Sequence, residues 1–248
     1  MPDTVIDNKL ISYEYLHTIF TKNDINNIYF MLNNKKYNVQ ELCLLNKFKH
    51  DNLQLEPYPH IVIERALSKK IYSYLDSVYP EDEEIYRENN INSKNIPDNN
   101  RYDIKTLSIF ENKNINPLWK LFTYINSSNY FIDILRNIFG KNKFDSFPNL
   151  EYIYKKYNKD YDNLNIKLNK FEKKPFNIIN NEYLECKEDE LYTACHIGIN
   201  SPLKENSYVK GPHIDSLCTV YSGLYYMRRE NDFGKGGNLE IYKLKKNI

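Results

Sequence analysis

The chain predicts an α+β fold, and two patterns carry that expectation. Apolar residues recur at helical spacing through much of the first half, then alternate with period two over the last quarter. Helices first and strands second is the order of a domain whose helices pack on one face of a largely antiparallel sheet. At 248 residues and 41% hydrophobic content, the chain can bury one sizeable core, or a core plus an appendage.

Residues 1–55 form the expected N-terminal appendage. Ile28 to Leu32 and Lys36 to Val39 flank Asn33-Asn34-Lys35, the pattern of a short hairpin with an Asn-rich turn, and Glu41 to Lys49 looks helical. The main domain is expected over 56–248. It opens with Pro57-Tyr58-Pro59-His60-Ile61-Val62-Ile63-Glu64, a strand entered through prolines.

Ala66 to Val78 then spaces Leu67, Ile71, Tyr74, Leu75 and Val78 as one helical face, with Ser68 as a cap. Pro80 and the acidic run Glu81 to Glu84 should end that helix, and 86–104 reads as a long polar loop. Asn116-Pro117 opens another helix, with Leu118, Trp119, Phe122 and Ile125 on its apolar side. Ser127 or Ser128 caps the next, which runs through Phe131, Ile132, Leu135, Ile138 and Phe139 to Gly140.

Leu150 to Tyr157 alternates like a strand, and 158–175 reads as an insertion or lid. Strands are then expected over Leu191 to Ile199, Tyr208 to Asp215, Val220 to Arg228 and Leu239 to Leu244.

Composition narrows the function classes. A formal charge of +1 supplies no strong field for nucleic acid or an anionic membrane surface. The 23 Tyr and 12 Phe fit an aromatic core better than a base-stacking platform, because no basic groove accompanies them. Abundant Asn, Lys, Ile and Tyr beside only 7 Gly suggest an AT-rich genome. Cys43, Cys186, Cys195 and Cys218 form no CxxC spacing. Such thiols, without a signal peptide or an apolar run of bilayer length, predict a cytoplasmic chain.

The chemistry concentrates near the end of the sequence. In Gly211-Pro212-His213-Ile214-Asp215-Ser216 a His and a carboxylate stand two residues apart, and in a strand both side chains leave the same face. One nitrogen and one oxygen so placed are two corners of a facial site for non-haem iron. Ser222-Gly223-Leu224-Tyr225-Tyr226-Met227-Arg228 and Gly236-Gly237-Asn238-Leu239-Glu240-Ile241-Tyr242 follow, like the two strands of a hairpin.

With those segments, residues 56–242 resemble the 2-oxoglutarate- and Fe(II)-dependent oxygenases, in the prolyl-hydroxylase-like branch common in phages and marine bacteria. Pro57 to Glu64 is similar to that family's opening strand. Pro117-Leu118-Trp119-Lys120 through Phe139-Gly140 resembles its supporting helices, and Asn200-Ser201-Pro202 its first core strands.

The resemblance implies a double-stranded β-helix, a jelly-roll relative of the cupin barrels, behind N-terminal supporting helices. It implies Fe(II) held by His213, Asp215 and a distal His, and 2-oxoglutarate chelating the metal, with ascorbate as an optional addition. A basic residue after the distal His would bind the cosubstrate's far carboxylate. Oxidative decarboxylation to succinate and CO2 would accompany hydroxylation of a small-molecule, sugar or peptidyl substrate. Tyr225 or Tyr226, on alternate faces, would hydrogen-bond the cosubstrate. Gly211 and Pro212 would shape the approach, Gly223 would let backbones pass closely, and Gly236-Gly237 would make a tight turn.

The chain departs from that pattern at one corner. No His occurs in the 33 residues after Asp215 (248 − 215), and the basic anchor and final strands expected there are missing as well. The expectation is a barrel without its last strands, completed by a second polypeptide or a homo-oligomer. The alternative is a non-catalytic, truncated remnant of the same fold that serves as a binding module.

His196 lies on an expected core strand, but the family pattern assigns it no ligand role. His60 reads as structural, Arg228-Arg229 as solvated and Cys218 as a small buried hydrophobe. Nucleic-acid demethylation, another activity of the superfamily, is disfavoured by the near-neutral charge.

Overall fold

The structure is a computed structural model that describes residues 39–128, 131, 134–135, 137–139, 194–201, 211, 213, 221–228 and 239–242. In chain order its elements are β1 (Leu53–Gln54), β2 (His60–Ile61), α1 (Lys69–Ser77), α2 (Asp82–Glu88), β3 (Arg101–Ile104), α3 (Thr106–Glu111), α4 (Pro117–Asn126) and β4 (Ile197–Asn200). Residues 131, 134, 135 and 137–139 are also helical. The expected hairpin around 33–35, the strand at 150–157 and the insertion at 158–175 lie outside the described residues.

Helix α4 forms because its start is capped twice. Asn116 Oδ1 accepts from Leu118 N at 2.9 Å, and Pro117 sits where a missing N–H costs nothing. Every residue from Leu118 to Asn126 is buried, so this is a core helix rather than an amphipathic one. The Trp119 indole donates to Leu75 O at 3.0 Å and lies edge-on to Tyr79 and Phe122, with ring centroids 5.2 Å away in each case. Each such pair adds roughly 0.5–1.5 kcal/mol beyond area burial.

Helix α1 packs its Ile71 and Leu75 beside α4, and Ser68 Oγ accepts from Ile71 N at 3.3 Å as its cap. Past α4, Phe131 N donates to Ser128 Oγ at 3.5 Å. Phe131, Leu135, Ile138 and Phe139 are buried at the spacing expected of a helix face.

Several expectations change in the structure. The acidic run Glu81 to Glu84 does not merely end α1. Asp82, Glu83 and Glu84 form the first turn of α2, where carboxylates favour the positive end of the helix dipole. The polar loop expected over 86–104 therefore contains the last three residues of α2 at one end and β3 at the other.

The helix expected over 41–49 is instead a 3-10 turn, Val39–Leu42, followed by turns. The Asn126 side chain explains this difference. Its Nδ2 donates to Leu42 O and its Oδ1 accepts from Leu44 N, both at 2.9 Å, which takes backbone groups that an α-helix would pair internally.

The strand expected over 57–64 narrows to His60–Ile61, because Pro57 and Pro59 can donate nothing to a ladder. It pairs antiparallel with β1, Leu53 opposite Ile61 and Gln54 opposite His60. The junction expected at residues 55/56 falls within this hairpin. Leu42, Cys43 and Leu45 share one core with the helices.

Within the strand expected over 191–199, the described residues 194–196 are not strand, and the ladder runs over Ile197–Asn200. Cys195 does not join the ladder, since its N–H donates to Thr106 Oγ1 at 3.0 Å and its C=O accepts from the same hydroxyl at 3.1 Å. β3 and β4 pair antiparallel, from Arg101 opposite Asn200 to Ile104 opposite Ile197. Asn100 and Ser201 close the open end, with Ser201 N donating to Asn100 O at 2.8 Å and Asn100 N to Ser201 Oγ at 2.9 Å. Gly198 sits close against Asp103: a Cβ there would lie 2.0 Å from Asp103 Oδ1 and 3.0 Å from Tyr102 O, so a larger residue requires the Asp103 side chain to move.

Candidate functional site

His213 lies in an exposed stretch, and its Nδ1 is 2.6 Å from Gly211 O. A carbonyl oxygen only accepts, so Nδ1 is the donor in this contact. That is the orientation a metal-binding imidazole takes when a backbone carbonyl holds its other nitrogen. A Cβ on Gly211 would meet nothing within 4 Å among the described residues.

The contact alone does not distinguish a ligand. His60 makes the same bond to Tyr58 O at 2.8 Å and lies edge-on to the Tyr58 ring. His213 differs in the residues that flank it. Asp215, the other expected ligand, lies outside the described residues, as do Pro212, Cys218, Gly236 and Gly237. Among the described residues no three His, Cys, Asp or Glu side chains gather in a metal-sized group. His196 is exposed immediately before β4.

The described residues 221–228 and 239–242 are not in the strands expected there; in the first segment residues 221–224 are all exposed and burial alternates only from Leu224 to Arg228. Tyr225 and Met227 pack onto the helical core, whereas Leu224 and Tyr226 face outward, Tyr226 at 55% exposure. The Tyr225 ring lies 6.1 Å from Phe122. Burial first, and then the neighbouring Tyr72, push its hydroxyl up to about 12.

The Tyr72 hydroxyl donates to Arg228 O, linking α1 to the end of this segment. Tyr221 lies edge-on to Phe131 at 6.0 Å. A Cβ on Gly223 would come within 2.7 Å of the Tyr221 hydroxyl oxygen, so the close neighbour there is a ring rather than a passing backbone. Further along, Leu239 and Tyr242 are exposed, and the Tyr242 hydroxyl donates to the Glu240 carboxylate.

Two cysteines are set apart from any nucleophilic role. Burial pushes the Cys43 thiol up to about 11 and the Cys195 thiol up to about 12, which keeps both protonated at neutral pH. Cys195 lies beside Thr123. The buried Thr123 hydroxyl has no oxygen or nitrogen partner among the described residues.

Three residues that position these groups carry no signal in the sequence. Asn126, Thr106 and Tyr72 act on partners 84, 89 and 156 residues away along the chain. Only packing brings them together. Among the described residues no helix is long and apolar enough to cross a membrane. Neither a family model, nor a curated protein, nor a solved structure matches this chain.

Proposed function

We propose that this chain is a jelly-roll oxygenase dependent on Fe(II) and 2-oxoglutarate, with His213 and Asp215 as its metal ligands. His213-Ile214-Asp215 carries this reading, set between Gly211-Pro212 and the hairpin-like segments 222–228 and 236–242. The Nδ1–H bond to Gly211 O supports it, because it restrains the imidazole ring. Asp215 supplies an anionic oxygen. The third protein corner comes from another His of this chain or from a second polypeptide or homo-oligomer.

The orientation of segment 221–228 favours Tyr226 over Tyr225 as the cosubstrate contact. In a two-layer arrangement the sheet face that packs on helices looks away from the barrel interior. Tyr225 packs on Phe122 of α4 and so belongs to the helix side. Tyr226 is on the opposite face, where its hydroxyl can donate to a carboxylate of the bound cosubstrate. When bound, iron and 2-oxoglutarate supply an oxidation that consumes O2, releases succinate and CO2, and hydroxylates a small-molecule or peptidyl substrate. Free Cys43 and Cys195 fit a reducing compartment, the cytoplasm.

The test is succinate release by the full chain, loaded anaerobically with Fe(II) and 2-oxoglutarate and then exposed to oxygen. Succinate that disappears in His213→Ala is the expected result. A parent chain that releases none would favour the non-catalytic binding module of the same fold.

A further inference from the structure

We propose that Tyr72 is a positioning residue: its hydroxyl, bonded to Arg228 O, holds the register of segment 221–228 so that Tyr226 rather than Tyr225 faces away from the helices. Period two makes register decisive, because a slip of one residue exchanges the two faces of an extended segment. Leu224-Tyr225-Tyr226-Met227 is vulnerable to such a slip, since two adjacent tyrosines would fill each other's places with little change in size.

Among the described residues, the contacts that set the face of the segment include those of its side chains and the Tyr72 bond to Arg228 O. Phe122 contacts Tyr225 at 6.1 Å, and Met227 packs on the core beside it. The Phe122 contact tolerates a Tyr-for-Tyr exchange, whereas the same slip would bring Arg228 to the place of Met227. The Tyr72 bond is directional and is made to a main-chain carbonyl, so it reads backbone position rather than side-chain identity. Tyr72 lies on α1, whose Ile71 and Leu75 are anchored in the core, which makes it a fixed reference for the segment.

The consequence for 2-oxoglutarate rests on the function proposed above, but the register claim does not. Both are tested on the full chain. Brief nitration with tetranitromethane, followed by peptide mapping, reads the ratio of modification at Tyr226 to that at Tyr225. The parent should favour Tyr226 clearly. Tyr72→Phe should lower that ratio about fivefold, the size that one lost hydrogen bond allows. Tyr74→Phe removes a phenol from the same helix and should leave the ratio unchanged.

Equal modification of Tyr225 and Tyr226 in the parent would overturn the proposal, and that reading needs no variant to fold. So would an unchanged ratio in Tyr72→Phe, or an equal fall in Tyr74→Phe. Anaerobic 2-oxoglutarate affinity, measured in parallel, should weaken in Tyr72→Phe by a similar factor. A parent that binds no 2-oxoglutarate but shows the expected ratios would sink the oxygenase reading and leave the register role standing.

Discussion

Helix α4 and segment 221–228 meet where Phe122 lies against Tyr225, and the chain treats them in opposite ways. Helix α4 is buried from Leu118 to Asn126, and its Asn and Trp side chains bond main-chain groups of neighbouring segments. Segment 221–228 packs only Tyr225 and Met227 on the core and leaves Leu224 and Tyr226 in the open. Packing and main-chain bonding account for Trp119, Phe122 and Asn126 on the helix. They do not account for an exposed Leu and Tyr side by side, so the outward face of the segment is where function has room to act.

If α4 is the scaffold, changes there should cost stability first. Trp119→Ala, which loses two ring contacts and the bond to Leu75 O, should cost about 4 kcal/mol in urea unfolding. Asn126→Ala strands Leu42 O and Leu44 N and should cost about 3 kcal/mol by the same measure.

Alkaline pH should produce a smaller, graded loss. The folded chain raises Cys43 from 9.0 to about 11, Cys195 from 9.0 to about 12 and Tyr225 from 10.0 to about 12. In each case the neutral form belongs to the folded state. The stabilisation of the thiols is therefore present in full below pH 9 and is lost as pH climbs toward 11 and 12. One pH unit above its unfolded pKa, the fully buried Cys43 costs about 1.4 kcal/mol. Unfolding midpoints between pH 7 and 10 should fall, and fall less steeply in Cys43→Ala.

On the exposed face the pattern should reverse. Tyr226→Phe should change stability by under about 0.5 kcal/mol. It should nonetheless weaken 2-oxoglutarate binding, read by anaerobic calorimetry. A stability loss as large as that of Asn126→Ala would erase the contrast between the two regions.

Local signals in the sequence anticipated the parts of the fold that depend on neighbours in the chain. Ser68, Asn116-Pro117 and Ser128 all act as the residue types suggest, because a cap depends on the next few residues. The alternation of Tyr225 and Tyr226 was legible for the same reason. Elements decided by distant partners were not. Arg101-Tyr102-Asp103-Ile104 carries a period-two pattern, yet its strand character comes from β4, far along the chain. Residues 41–49 have a helical pattern that Asn126 overrides by capturing Leu42 O and Leu44 N. In the candidate site, His213 is legible as a residue type, and its contact with Gly211 O only from the structure.

The most direct test of the central claim is anaerobic equilibrium dialysis of the full chain against Fe(II) and labelled 2-oxoglutarate, with urea midpoints measured on the same samples. The account predicts that the parent retains both. It also predicts that His213→Ala loses the iron and the 2-oxoglutarate that depends on it, with its midpoint unmoved. A parent that retains neither, or a His213→Ala chain that binds as the parent does, would contradict it.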